Sequence, residues 1–82
     1  MSTYNVALRT DAFSKAVRLA GFRSDYKLAK AMGLNRSTVT RVVSGDLRPG
    51  PAFIAGALVV LPPMVFEDLF DVITNPDRSE SA

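Results

Sequence analysis

Between Ser24 and Gly45 the chain carries two short amphipathic segments, each opened by a capping residue and closed by glycine, with only a Gly-Leu-Asn turn between them. Ser24 is an N-cap type ahead of a helix from Asp25 to Met32. Leu28, Ala29, Ala31 and Met32 are expected to point inward, and Tyr26, Lys27 and Lys30 outward. Gly33 ends the segment because a residue without Cβ takes a left-handed backbone at little steric cost, and Leu34 can pack back under the turn. Asn35 is expected to cap the next helix, Arg36 to about Ser44, closed by Gly45. Two helices this close in sequence form a helix-turn-helix pattern.

The second of these helices has two unlike faces. At about 100° per residue, Val39, Val42 and Val43 share one narrow arc, the packed side. Arg36, Ser37, Thr40, Arg41 and Ser44 occupy the opposite arc, with Thr38 on the border. All of these side chains form hydrogen bonds and none is acidic. Such a face suits the major groove: arginine reads guanine O6 and N7, serine and threonine donate or accept, and a threonine methyl can touch that of thymine. The helix N-terminus at Asn35 adds backbone N–H groups that favour a phosphate.

The flanking segments read as follows. Tyr4, Val6 and Leu8 alternate with Asn5, Ala7 and Arg9, the period of a short strand, which needs a partner from Phe70–Thr74 or from a second subunit. A first helix starts at an N-cap on Thr10 or Asp11 and ends at Gly21, with Ala12, Phe13, Ala16, Val17, Leu19 and Ala20 on its covered face. After the loop Asp46–Gly50, Pro51 opens a fourth helix to about Leu61, apolar all round as a central core helix should be, and Pro62-Pro63 breaks it. In a fifth segment, Met64–Ile73, helical spacing gathers Val65, Phe66, Leu69, Phe70, Val72 and Ile73 opposite Glu67, Asp68 and Asp71. The expected organisation is an arm or short strand over 1–9, one mainly all-α, compact five-helix domain over 10–73, and a flexible polar tail over 74–82.

Composition narrows the function. Eighty-two residues make one small domain, which buries only about 60–65% of its unfolded surface and gains from a partner. With no cysteine and no histidine, the usual triads and most zinc sites are excluded, so neither a cofactor nor a metal is expected. Charge is divided: residues 1–50 hold nine basic and three acidic side chains (+6), and residues 51–82 hold one basic and five acidic ones (−4). A domain so divided has a preferred side for a polyanion. The N-terminus lacks the apolar core of a signal peptide, and Pro51–Pro63 falls short of the roughly 20 residues that span a bilayer. A cytoplasmic, nucleoid-associated protein without membrane contact is expected.

Leu28 to Gly45, followed by Arg48-Pro49, resembles the signature of the Cro/C1-type (XRE-like) helix-turn-helix family of phage and bacterial repressors. The likeness extends over about residues 10–73 and implies a lambda-repressor-like fold. It also implies base contacts from Arg36, Ser37, Thr38, Thr40 and Arg41, and phosphate contacts from Lys27, Lys30, Asn35, Ser44 and Arg48. A homodimer reading two half-sites about one helical turn apart on double-stranded DNA follows from the same resemblance. Two positions depart from the family pattern. Asp25 stands where many members have glutamine, and would repel a phosphate unless it caps N–H groups or pairs with a base such as Arg36. Val43 stands where many have glutamate, removing a structural ion pair.

The leading expectation is therefore a DNA-binding transcriptional repressor with no small-molecule ligand. The alternative is a protein-interaction module, antitoxin-like or anti-repressor-like, on the same fold. An enzyme is not expected: Glu67, Asp68 and Asp71 form the one close carboxylate cluster, on an expected solvent face, whereas a nuclease wants such acids on its basic side to hold metal.

Overall fold

A computed structural model of the chain describes residues 3–74. The order is β1 (Tyr4–Leu8), α1 (Thr10–Leu19), α2 (Asp25–Met32), α3 (Arg36–Ser44), α4 (Pro51–Val60), α5 (Phe66–Leu69) and β2 (Phe70–Thr74). The domain is mainly helical, with five helices and one two-stranded antiparallel sheet. Residues 75–82, where most of the flexible tail was expected, lie outside the described part.

The sheet joins the two ends of the domain. β1 runs antiparallel to β2 with Val6 opposite Val72 and Leu8 opposite Phe70, so the strand finds its partner within the chain. This resolves the fifth segment against a continuous helix. Only Phe66–Leu69 is helical, and at Phe70 the backbone turns extended (φ −135°, ψ 154°). The run of aromatic and β-branched residues fits both periods, and ladder bonds to β1 favour the strand. The Asp68 carboxylate accepts the Val65 N–H at 2.9 Å, which satisfies a donor at the start of this single turn.

Sheet pairing also shifts the start of α1. Arg9, not Thr10 or Asp11, is the capping position, and no side chain caps there. The Arg9 N–H donates to the Leu69 carbonyl and its own carbonyl accepts the Phe13 N–H, both at 2.8 Å, so the helix begins as soon as the strand ends. The Arg9 guanidinium meets the Asp71 carboxylate at 2.7 Å in a half-exposed pair, worth under about 1 kcal/mol at such exposure. Gly21 takes the expected left-handed backbone (φ +91°).

Phe13, Leu28, Val39, Phe53, Leu61, Leu69 and Phe70 are the large members of one core to which every helix contributes. The Phe53 ring lies 5.5 Å from that of Phe13 and 6.3 Å, edge-on, from that of Phe70, which stacks on Phe66 at 5.2 Å. Several expected inward positions are not covered. Leu19 is 81% exposed and Ala20 is exposed, at the end of α1 beyond the reach of the core, and Ala31 is exposed on the side of α2 away from it. α4 buries one side only: Phe53 and Ala57 are inside, while Ala52, Ala55 and Val59 face solvent.

Close approach of α4 to α2 depends on Gly56. A Cβ there would stand 3.0 Å from Met32 Cβ and 3.2 Å from the Met32 carbonyl oxygen, neither of which can swing aside. Gly56→Ala is expected to lower stability by about 1 kcal/mol, since overpacking of about 1–3 kcal/mol outweighs a helix-propensity gain of up to about 1 kcal/mol. A urea midpoint at or above that of the parent chain would refute this.

Candidate nucleic-acid interface

The α2–α3 pair is assembled from local signals. Ser24 is extended (φ −150°, ψ 156°) and its Oγ accepts the Lys27 N–H at 3.2 Å. At the other end Gly33 has φ +74°, the Leu34 N–H donates to the Ala29 carbonyl at 2.9 Å and the Gly33 N–H to that of Lys30 at 3.2 Å. These crossed bonds are the Schellman arrangement, which a left-handed residue at this position permits. The same pair of bonds recurs at Gly45, where the Asp46 N–H reaches the Arg41 carbonyl at 2.9 Å and the Gly45 N–H that of Val42 at 3.2 Å. Leu34 is half-buried against the core beneath its turn.

Asn35 holds the capping position of α3, but its side chain makes no capping bond. Its carbonyl accepts the Thr38 and Val39 N–H groups at 3.1 and 3.2 Å. With an uncommitted amide at its entry, α3 keeps first-turn backbone donors that have no intrahelical partner.

Beyond that entry, α3 divides as its spacing predicts. Val39 is fully buried, Val42 nearly so and Val43 half-buried, while Arg36, Ser37, Thr40, Arg41 and Ser44 are exposed and Thr38 is intermediate. Among the described residues no ion pair engages Arg36, Arg41 or Arg48. Arg48 is exposed in the loop after α3, next to the buried Pro49. The Arg41 carbonyl holds that loop by accepting the Leu47 N–H at 3.1 Å. Ser44 donates its hydroxyl back to the same carbonyl at 3.1 Å, so its proton is turned into the helix. Lys27 and Lys30 are exposed on α2.

One position was not readable in advance. Asp25 neither caps a backbone N–H nor pairs with Arg36; its Oδ2 accepts the Thr40 hydroxyl at 3.2 Å, tying the first residue of α2 to the middle of the outward face of α3. The unusual residue type at this position was the only signal in the sequence. Val43, half-buried against the core, lines a groove of about 670 Å³ with Val17, Phe22 and Leu28. Arg18, Arg23 and Asp25 border this groove, which brings two arginines beside the start of α2.

Of the three carboxylates of the fifth segment, Asp68 is turned to a backbone N–H and Asp71 to Arg9. Among the described residues no group of three or more acidic side chains is disposed to hold a metal ion, and no helix is long and apolar enough to cross a membrane. No protein-family model matches the chain, and neither a curated protein nor a solved structure matches it.

Proposed function

We propose that this chain is a sequence-specific regulator that binds double-stranded DNA by laying α3 in the major groove, and that it represses by occupying a promoter. The observation that carries the reading is the outward face of α3, where every exposed side chain from Arg36 to Ser44 is able to hydrogen-bond, two are arginines, and none is acidic. An α-helix with its side chains is about 10–12 Å across, matched to a groove about 12 Å wide. Arg36, Ser37, Thr40 and Arg41 then face base edges, with Thr38 at the margin. The backbone donors at Asn35 precede this face and Arg48 follows it, and they would meet the flanking phosphates together with Lys27 and Lys30, which are exposed on α2. The reading takes the α2–α3 pair as that of a lambda-repressor-like fold, with a homodimer on a two-fold operator as the matching assembly.

A competing reading draws on the exposed apolar side chains Leu19, Val59, Val65 and Val72, which an interaction module would cover with a protein partner. Selection of bound sequences from a random duplex library separates the two. Enrichment of a palindrome with half-sites about 10 base pairs apart is the expected result. A lone half-site would keep the DNA reading and remove the homodimer. No enrichment, with weak and steeply salt-dependent binding, would overturn the reading and turn attention to the apolar surface.

The selected duplex also tests Arg48. Arg48→Ala should weaken binding to all sequences alike and flatten the plot of log affinity against log salt by about 0.9, the release of one phosphate contact. An unchanged slope would remove Arg48 from the phosphate set.

A further inference from the structure

We infer that Asp25 is a positioning residue, which fixes the Thr40 hydroxyl as a hydrogen-bond acceptor and thereby selects an amino-bearing base, cytosine or adenine, on the strand that Thr40 faces. The inference rests on the reading of α3 as a major-groove helix and names what one position of that helix recognises.

A threonine hydroxyl is by itself ambivalent, with one proton to give and two lone pairs to offer. Here the proton is committed, because Thr40 Oγ1 donates to Asp25 Oδ2 at 3.2 Å. A bond to a carboxylate is stronger than one to a neutral acceptor, so turning the proton toward a base oxygen would lose the better partner. Asp25 is held in place by its own helix: it follows Ser24, whose side chain caps α2, and Leu28 and Ala29 anchor that helix in the core.

The outward hydroxyl therefore presents lone pairs beside a negative charge. In the major groove only cytosine N4 and adenine N6 offer hydrogens, while guanine O6 and N7 and thymine O4 are acceptors. The pair of residues accepts the first class, and the carboxylate repels the second. It distinguishes A·T from T·A and C·G from G·C, but not A·T from C·G.

The test is a selection from random duplexes with the full chain and with Asp25→Ala, Asp25→Asn, Thr40→Val and the Asp25→Ala/Thr40→Val double variant. Both side chains are exposed, and unchanged helix content and urea midpoint establish that each variant folds. Thr40→Val identifies the base position by erasing its preference. There the parent chain should favour adenine or cytosine about tenfold over guanine or thymine, a typical margin for one good base contact. Asp25→Ala should cut that ratio below about threefold and, with a negative charge gone, raise affinity for every sequence. Asp25→Asn keeps an acceptor oxygen at the same place and should retain the ratio. In the Thr40→Val background, Asp25→Ala should move no preference, since the coupling runs through the hydroxyl. Preference for guanine or thymine at this position in the parent chain would overturn the inference, as would a ratio unaffected by Asp25→Ala; either leaves the DNA reading intact. Absence of any enriched sequence would overturn both.

Discussion

Phe53→Ala is expected to lower the unfolding free energy by about 3–5 kcal/mol, the range for truncating a buried aromatic side chain. The ring is 2% exposed and stands between Phe13 of α1 and Phe70 of β2, so its removal opens a cavity where two helices and the sheet meet. Against a typical total of about 5–15 kcal/mol for a small domain, the loss takes much of the stability. The β1–β2 pairing should weaken with it, because Leu8 and Phe70 are paired residues and Phe70 packs on the missing ring. Equilibrium urea unfolding followed by circular dichroism measures the loss. A cost below about 1.5 kcal/mol would mean that neighbouring side chains collapse into the space and that the aromatic cluster is not the keystone its geometry implies.

Arg36→Ala should weaken binding to the selected duplex by about 1–3 kcal/mol, about 5- to 150-fold, and relax the base preference at one position of each half-site. Stability should stay within about 0.5 kcal/mol, because the side chain is exposed and pairs with no acid among the described residues. Titration of the parent and variant chains with the selected duplex, and with single-base variants of it, measures both effects. A loss equal across all sequences would make Arg36 a phosphate contact. No loss at all would return the outer face of α3 to solvent and favour the protein-interaction reading.

The contrast between these residues shows which features the sequence made legible. Both boundaries of α2 and of α3 follow from residue types within a few positions: Ser24, Gly33 and Gly45 act through their own backbone preferences and through bonds to near neighbours. The same holds for the outward face of α3, since the spacing of Val39, Val42 and Val43 decides which side packs. Residues 66–74 are different. Their apolar pattern suits a helix face and a strand equally, and the outcome depends on β1, at the opposite end of the chain. Asn35 looked like a side-chain cap by type, yet the cap is made by its carbonyl alone. Leu19, Ala31 and Val59 lie on or near apolar faces that run past the limits of the core.

Local chemistry thus determined where α2 and α3 begin and end and which face of α3 carries hydrogen-bonding groups, because dihedral preferences and caps act over one or two turns. Only the tertiary structure decided that Phe70–Thr74 pairs with Tyr4–Leu8, that Gly56 admits Met32, and that the Thr40 proton belongs to Asp25. Each of these joins residues far apart along the chain, and a periodicity confined to one segment carries no information about the partner that another segment brings.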